Sequence, residues 1–182
     1  MYPNFLNGDE SDALFSFLMK TTPWRQDEIK IFGKSILQPR LSAIYGDHGI
    51  SYTYSGLKMP VNSWTEELEV LKDKVEGKSQ SQFNLVLINL YRDGNDSMGW
   101  HSDDEKELGK NPMIASISFG ENRNFKLRPK KNNPDGQSFS INLESGSLLI
   151  MKAETQHFWQ HSIRKSKKVL GPRINLTFRK IL

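Results

Sequence analysis

The chain contains no cysteine, and that absence removes several chemistries at once. Disulfides, thiolate zinc sites and cysteine nucleophiles are excluded, and an intracellular location is compatible with it. No apolar run approaches the ~20 residues that a membrane span requires, so no membrane association is expected. Asp9, Glu10 and Asp12 stand where a secretory signal would carry basic residues. Histidine is scarce, with 4 in 182 residues, so an imidazole site must draw on His48, His101, His157 and His161. Acidic residues are scarce in one part only. From Arg123 onward 13 Lys or Arg face 3 Asp or Glu, whereas the preceding part has 12 against 18. The basic part is placed to meet a polyanion or anionic small molecules. A hydrophobic content of 36% and a charged content of 25% fit an ordinary globular chain with one sizeable core.

Residues 9–22 read as an amphipathic helix capped by Asp9, with Leu14, Phe15, Leu18 and Met19 as its apolar stripe. Residues 29–37 alternate around Phe32-Gly33-Lys34, the pattern of a β-hairpin with an aromatic near its tip. Residues 39–56 are dense in Gly, Pro and Tyr. Tyr52 and Tyr54 share a face if extended, which suits base stacking and a structural tyrosine cluster equally. Residues 64–78 predict a second helix with Trp64, Leu68, Leu71 and Val75 on one face. Strands are expected over 83–91, 113–119, 124–127, 138–143, 147–151, 158–163 and 173–181, separated by turn-forming residues. Even spacing of short strands argues for a sandwich or jelly roll. The chain thus reads as one mainly β (α+β) domain over 1–182. An N-terminal helix-and-hairpin part, residues 1–82, precedes a strand-rich core, residues 83–182.

The chemistry begins at His101-Ser102-Asp103-Asp104-Glu105. On an extended strand His101 and Asp103 leave the same face, offering one imidazole nitrogen and one carboxylate to a cation. A second histidine would complete a 2-His-1-carboxylate facial triad, which holds Fe(II) and leaves coordination positions open. His157 and His161 share a face if their segment is extended, and spacing does not choose between them. Arg173 and Arg179 lie six apart on one predicted strand face with Asn175 and Thr177, their α-carbons ~20 Å apart. Such arginines flanked by Ile174, Leu176 and Phe178 are expensive to bury without anionic partners, and their forked donors suit carboxylates. Two long side chains leaning inward would bracket a small dicarboxylate. Asn89 and Tyr91 share a strand face just upstream and add an amide and a phenol.

Taken together, Asn89-x-Tyr91, His101-x-Asp103-Asp104-Glu105, His161-Ser162 and Arg173-x5-Arg179 resemble the AlkB family of Fe(II)- and 2-oxoglutarate-dependent nucleic-acid dealkylases. Ile31-Phe32-Gly33-Lys34, Pro39-Arg40, Tyr45-Gly46-Asp47 and Tyr52-Thr53-Tyr54-Ser55-Gly56 extend the resemblance to its duplex-DNA repair branch. The resemblance implies a double-stranded β-helix with helices packed outside. It implies iron held by His101, Asp103 and His161, and 2-oxoglutarate held by Asn89, Tyr91, Arg173 and Arg179 with Thr177 nearby, dioxygen being the oxidant. It implies demethylation of N1-methyladenine and N3-methylcytosine in DNA with release of formaldehyde. A base inside a duplex must be flipped to reach such a site. Phe32, between Ile31 and the Gly33-Lys34 turn, matches the finger that fills the vacated gap, and Tyr52 and Tyr54 match positions that hold the flipped base. Asp104 would meet the positive charge of the lesion. Arg40, Arg128, Lys130, Lys131, Arg164, Lys165, Lys167 and Lys168 are then expected at DNA phosphates. A monomer is expected, with alkylated DNA as partner and no protein partner inferable. The compartment would be the cytoplasm in a bacterium and the nucleus in a eukaryote.

Overall fold

The computed structural model describes the backbone of residues 1–31, 34–54 and 57–182, and the side chains of 1–28, 35–51 and 59–182. Among these residues the order is α1 (Gly8–Thr21), β1 (Glu28–Ile31), β2 (Lys34–Leu37), β3 (Leu41–Gly46), β4 (Tyr52–Tyr54), β5 (Leu57–Met59), β6 (Val61–Asn62) and α2 (Glu66–Ser79). Then follow β7 (Leu85–Tyr91), β8 (Met98–His101), β9 (Ile114–Gly120), β10 (Arg123–Pro129), β11 (Phe139–Leu143), β12 (Leu148–Met151), α3 (Thr155–Phe158), β13 (Trp159–Ile163) and β14 (Arg173–Arg179). A six-stranded sheet runs β12-β9-β14-β7-β3-β6 and a four-stranded sheet runs β11-β10-β13-β8. Facing one another, they form the jelly roll.

The six-stranded sheet is buried on both faces because its strands alternate between two different cores. On β14, Ile174, Leu176 and Phe178 point outward and pack with Val86, Ile88 and Leu90 of β7 under the helices. Leu18 of α1 and Leu68, Leu71 and Val75 of α2 close that core, all 2% exposed or less. Each such side chain contributes roughly 1.5–3 kcal/mol of transfer free energy. The inward positions of β14 are Arg173, Asn175, Thr177 and Arg179, all buried. Asn175 lies opposite Asn89 of β7 on one side and Ser118 of β9 on the other, so a polar row crosses the middle of the sheet. Phe125, Leu127 and Ile163 of the smaller sheet meet Ile114, Leu149 and Met151 around it.

Local details depart from expectation for identifiable reasons. The cap of α1 is Asn7, not Asp9: its side chain accepts the Glu10 amide (2.9 Å) while Glu10 accepts the Asn7 amide (3.1 Å), a reciprocal capping box. Asp9 lies in the first turn, where its charge meets the positive helix end. Trp64 precedes α2; its ring stacks on Phe178 at 6.5 Å and its indole donates to Asp47 (2.7 Å). The expected division after residue 82 does not separate the sheets, because β3 pairs with β7 from Leu41↔Leu90 to Gly46↔Leu85. Gly120 takes φ +79° in the β9–β10 turn, where a Cβ would lie 2.5 Å from the Pro172 carbonyl.

Candidate metal and co-substrate site

β8 and β13 are antiparallel, and His101 is the register partner of His161. That pairing brings the two imidazoles together, 4.2 Å between ring centres. Asp103 completes the group, and the ligating atoms of His101, Asp103 and His161 all lie within 4.8 Å of one another. The expected strand geometry is corrected at one point: β8 ends at His101, so Asp103 reaches the group from the loop that follows. Of the two histidines that spacing leaves open, a strand boundary brings His161 to the group. His157 sits exposed in the helical turn α3, and β13 begins only at Trp159, so His161 alone of the two faces inward.

Electrostatics set the protonation states that a metal ion needs. His161 is 5% exposed; burial, helped by the neighbouring His101, pushes its pKa down to about 3. Burial also lowers His101, against the pull of Asp103. Desolvation would raise Asp103, but the charge of Arg179 and the hydrogen bond it donates reverse this and hold the carboxyl below the usual carboxylate range. The site therefore presents two neutral imidazoles and one carboxylate. His101 Nδ1 lies 2.9 Å from the Gly99 carbonyl, which assigns the proton to Nδ1 and leaves Nε2 for a cation.

Behind the group stands the inward row of β14. Arg179 donates through Nη2 to Asp103 Oδ1. Arg173, 1% exposed, donates through Nη2 to Ser118 Oγ (2.9 Å), while its Nε and Nη1 meet no acceptor among the described residues. Burial pushes its pKa down to about 10, opposed by Tyr91, whose ring lies 5.2 Å from the guanidinium. Arginine remains charged even so. A buried cation with two unused donors fits an incoming carboxylate. Asn175 is held by Ser116 Oγ (2.8 Å) and the Ile117 carbonyl (2.9 Å), and Thr177 donates to Asn175 (3.1 Å). One cavity is lined by the three candidate ligands and by Asn89, Tyr91, Arg173, Thr177 and Arg179.

Other expected residues fall elsewhere. Arg40 is corrected: it is 4% exposed and donates to Asn89 Oδ1 (2.9 Å), so it braces the co-substrate wall and is not available to a phosphate. Asp104 lies outside the cavity, 61% exposed in its side chain and paired with Lys130 at 2.9 Å. Arg128, Lys131, Arg164, Lys165, Lys167 and Lys168 are exposed. Arg128 and Arg164 both approach the Trp100 ring, at 4.4 and 5.6 Å. Phe32 and Gly33 lie outside the described residues, as do the side chains of Lys34, Tyr52 and Tyr54. Ser116, Ser118 and Gln156 were not singled out from sequence. The two serines announce themselves only through strand pairing, and Gln156 has no local signal.

A jelly roll with two imidazoles and one carboxylate at its mouth has the donor set of mononuclear non-haem Fe(II) oxygenases. Residues 1–179 match the family model described as the 2OG-Fe(II) oxygenase superfamily. Over 181 residues, 95% of the chain, the sequence is 43% identical to "DNA oxidative demethylase ALKBH2" of Homo sapiens, of which it covers 69%. It is 41% identical over its whole length to human "Alpha-ketoglutarate-dependent dioxygenase alkB homolog 3", covering 65% of that protein. An Arabidopsis thaliana protein, also "DNA oxidative demethylase ALKBH2", is 36% identical, 98% of the chain covering 64% of it. The chain thus spans about two thirds of the length of these relatives. The solved structure of OsALKBH1 superposes with a TM-score of 0.68 at 18% identity, covering 98% of this chain and 95% of that one, a likeness of fold. The chain belongs to the 2-oxoglutarate–Fe(II) oxygenase superfamily, in its AlkB branch. Fe(II), 2-oxoglutarate and dioxygen are the reactant set of this family, and the donor group and the buried Arg173 fit the first two.

Proposed function

We propose that this chain is a DNA repair dioxygenase that oxidatively demethylates N1-methyladenine and N3-methylcytosine in DNA, releasing formaldehyde and restoring the base. The observation that carries this reading is the neutral His101/His161 pair with the Asp103 carboxylate, set beside an arginine whose buried donors lack an anion. The relatives named as DNA oxidative demethylases supply the substrate class. His101, Asp103 and His161 would hold Fe(II), and Arg173 would take a carboxylate of 2-oxoglutarate, with Asn89, Tyr91 and Thr177 lining the same space. When bound, iron and 2-oxoglutarate supply activation of dioxygen for oxidation of the methyl group. The chain's own residues keep both imidazoles neutral, hold Asp103 ionised through Arg179 and wall the cavity with apolar groups.

Alkylated DNA is the proposed partner, met by the exposed bases on β10 and on the β13–β14 connection. Among the described residues no helix is long and apolar enough to cross a membrane. In this proposal the chain is a monomer acting on DNA, in the cytoplasm of a bacterium or the nucleus of a eukaryote. The test is formaldehyde release from an N1-methyladenine oligonucleotide, single- and double-stranded, with Fe(II) and 2-oxoglutarate each omitted in turn. Release in either strand state, dependent on both, supports the reading; none in either refutes it. Phe32 and Asp104 stay in the proposal on sequence grounds, as duplex finger and lesion contact. Phe32→Ala is expected to lower turnover on duplex more than on single strands.

A further inference from the structure

The antiparallel ladder between β8 and β13 stops at His101↔His161, yet Asp103 two residues later must be held as firmly as the histidines. Two side-chain bonds take over where the ladder ends. Ser102 Oγ donates to the Trp159 carbonyl (2.8 Å), and the main-chain N–H of Asp103 donates to Gln156 Oε1 (2.9 Å). Gln156 is 1% exposed, and among the described residues its own amide nitrogen reaches only a weak acceptor, Met151 Sδ at 3.6 Å. An amide this deeply buried, with one strong partner, has that partner as its reason. We infer that Gln156 is a positioning residue of the metal centre, fixing the main chain of Asp103 against the helical turn α3 that leads into the strand carrying His161.

The division of labour explains why two contacts are needed. Arg179 grips the Asp103 carboxylate, which sets its charge and one oxygen. Gln156 grips the backbone, which sets where the side chain starts. Lost, it leaves a buried N–H unsatisfied in a loop that no ladder supports. The segment that delivers Gln156 is itself constrained. Ala153 takes φ +52°, a left-handed conformation unusual for a residue with a Cβ. From outside, Lys130 Nζ donates both to the Gln156 carbonyl (2.8 Å) and to Asp104 Oδ2 (2.9 Å). Asp103, Gln156, Lys130 and Asp104 thus close a ring that ties the ligand loop to α3 and to the end of β10.

This inference rests on the metal reading of the site, so its test reads metal binding and not demethylation. Co(II) serves as the probe, titrated anaerobically into the full chain, with its d–d absorption reporting coordination. Gln156→Met keeps the volume and removes the acceptor; Gln156→Asn keeps an amide but shortens its reach; Gln156→Glu restores an acceptor oxygen at the same reach. The Met and Asn variants should bind Co(II) about tenfold to a hundredfold more weakly, with an altered spectrum. The Glu variant should stay within about threefold of wild type. If Gln156→Met fails to fold, the Asn and Glu variants decide alone. Wild-type affinity and spectrum in the shortened variant, or a Glu variant as impaired as the Asn one, would overturn the inference. A wild-type chain that binds no Co(II) would overturn it together with the metal centre, a result distinct from either.

Discussion

The two arginines of β14 are alike in sequence context and burial, and unlike in what they meet. Arg179 and Arg173 are both 2% exposed or less and lie on the same strand face, Arg173 followed by Ile174 and Arg179 preceded by Phe178. Arg179 finds a carboxylate within its own chain, Asp103. Arg173 finds a hydroxyl, Ser118, and an aromatic face, Tyr91, with no carboxylate among the described residues. A buried cation satisfied internally is part of the scaffold, whereas one left short of an anion is part of a binding site. The difference marks a candidate metal end of the cavity at Arg179 and a proposed co-substrate end at Arg173.

The sharpest way to break this contrast is to remove each guanidinium in turn. Arg179→Met strands the Asp103 carboxylate in a dry interior, so the metal-free chain should lose about 3–5 kcal/mol in urea unfolding, unless Asp103 takes up a proton. A loss under 1 kcal/mol at neutral pH would show that the pair is not the internal support described here. The same end should be sensitive to acid. His161 is neutral in the fold with a pKa near 3, far below the ordinary value of 6.5. The unfolded chain therefore binds the extra proton first. Stability is fully present above about pH 6.5 and is lost as pH falls toward 3, by several kcal/mol at most. Unfolding of the metal-free chain at pH 7 and at pH 4.5 checks this, and His161→Phe should flatten the dependence. Equal slopes in the two chains would contradict the assignment.

At the other end the sign reverses. Arg173→Met removes a buried cation that lacks an anion, so metal-free stability should be unchanged or raised by up to about 2 kcal/mol. Binding of 2-oxoglutarate should weaken about a hundredfold, the loss of roughly 3 kcal/mol from two charged hydrogen bonds. Calorimetric titration with Co(II) in place of Fe(II) measures the second effect, urea unfolding the first. A stability loss matching that of Arg179→Met would erase the distinction between the two ends.

How much of this was legible beforehand depends on whether a residue's role is carried by periodicity or by contact. The alternation Arg173, Asn175, Thr177, Arg179 against Ile174, Leu176, Phe178 states in the sequence that one face is polar and one apolar, and the structure buries both. The helices and most strands of the core were legible for the same reason. β3 was not, because its Gly- and Tyr-rich surroundings hide a strand, Leu41–Gly46, whose antiparallel partner β7 lies 39 to 49 residues further along the chain. Arg40 was misplaced because a basic residue beside Pro39 looks exposed, whereas it is buried and bonded to Asn89. Gln156 was invisible, since its role is a single bond to Asp103 N, 53 residues distant.

The smallest effect tests the comparison most directly, because it asks whether Ser118 matters only through Arg173. Ser118 is 1% exposed and its hydroxyl accepts a hydrogen bond from the Arg173 guanidinium (2.9 Å). Ser118→Ala leaves that cation with less support and should cost about 1–2 kcal/mol of metal-free stability. In the Arg173→Met background the same change removes a hydroxyl that no longer faces a charge, and should cost almost nothing. The coupling energy of the double-mutant cycle should therefore account for most of the single-mutant loss. Saturating 2-oxoglutarate with Co(II) should shrink that coupling, because the carboxylate then supplies most of the support that Ser118 gave. A coupling near zero without ligand would mean that Arg173 is supported by something other than Ser118, and the two ends of β14 would no longer differ in kind.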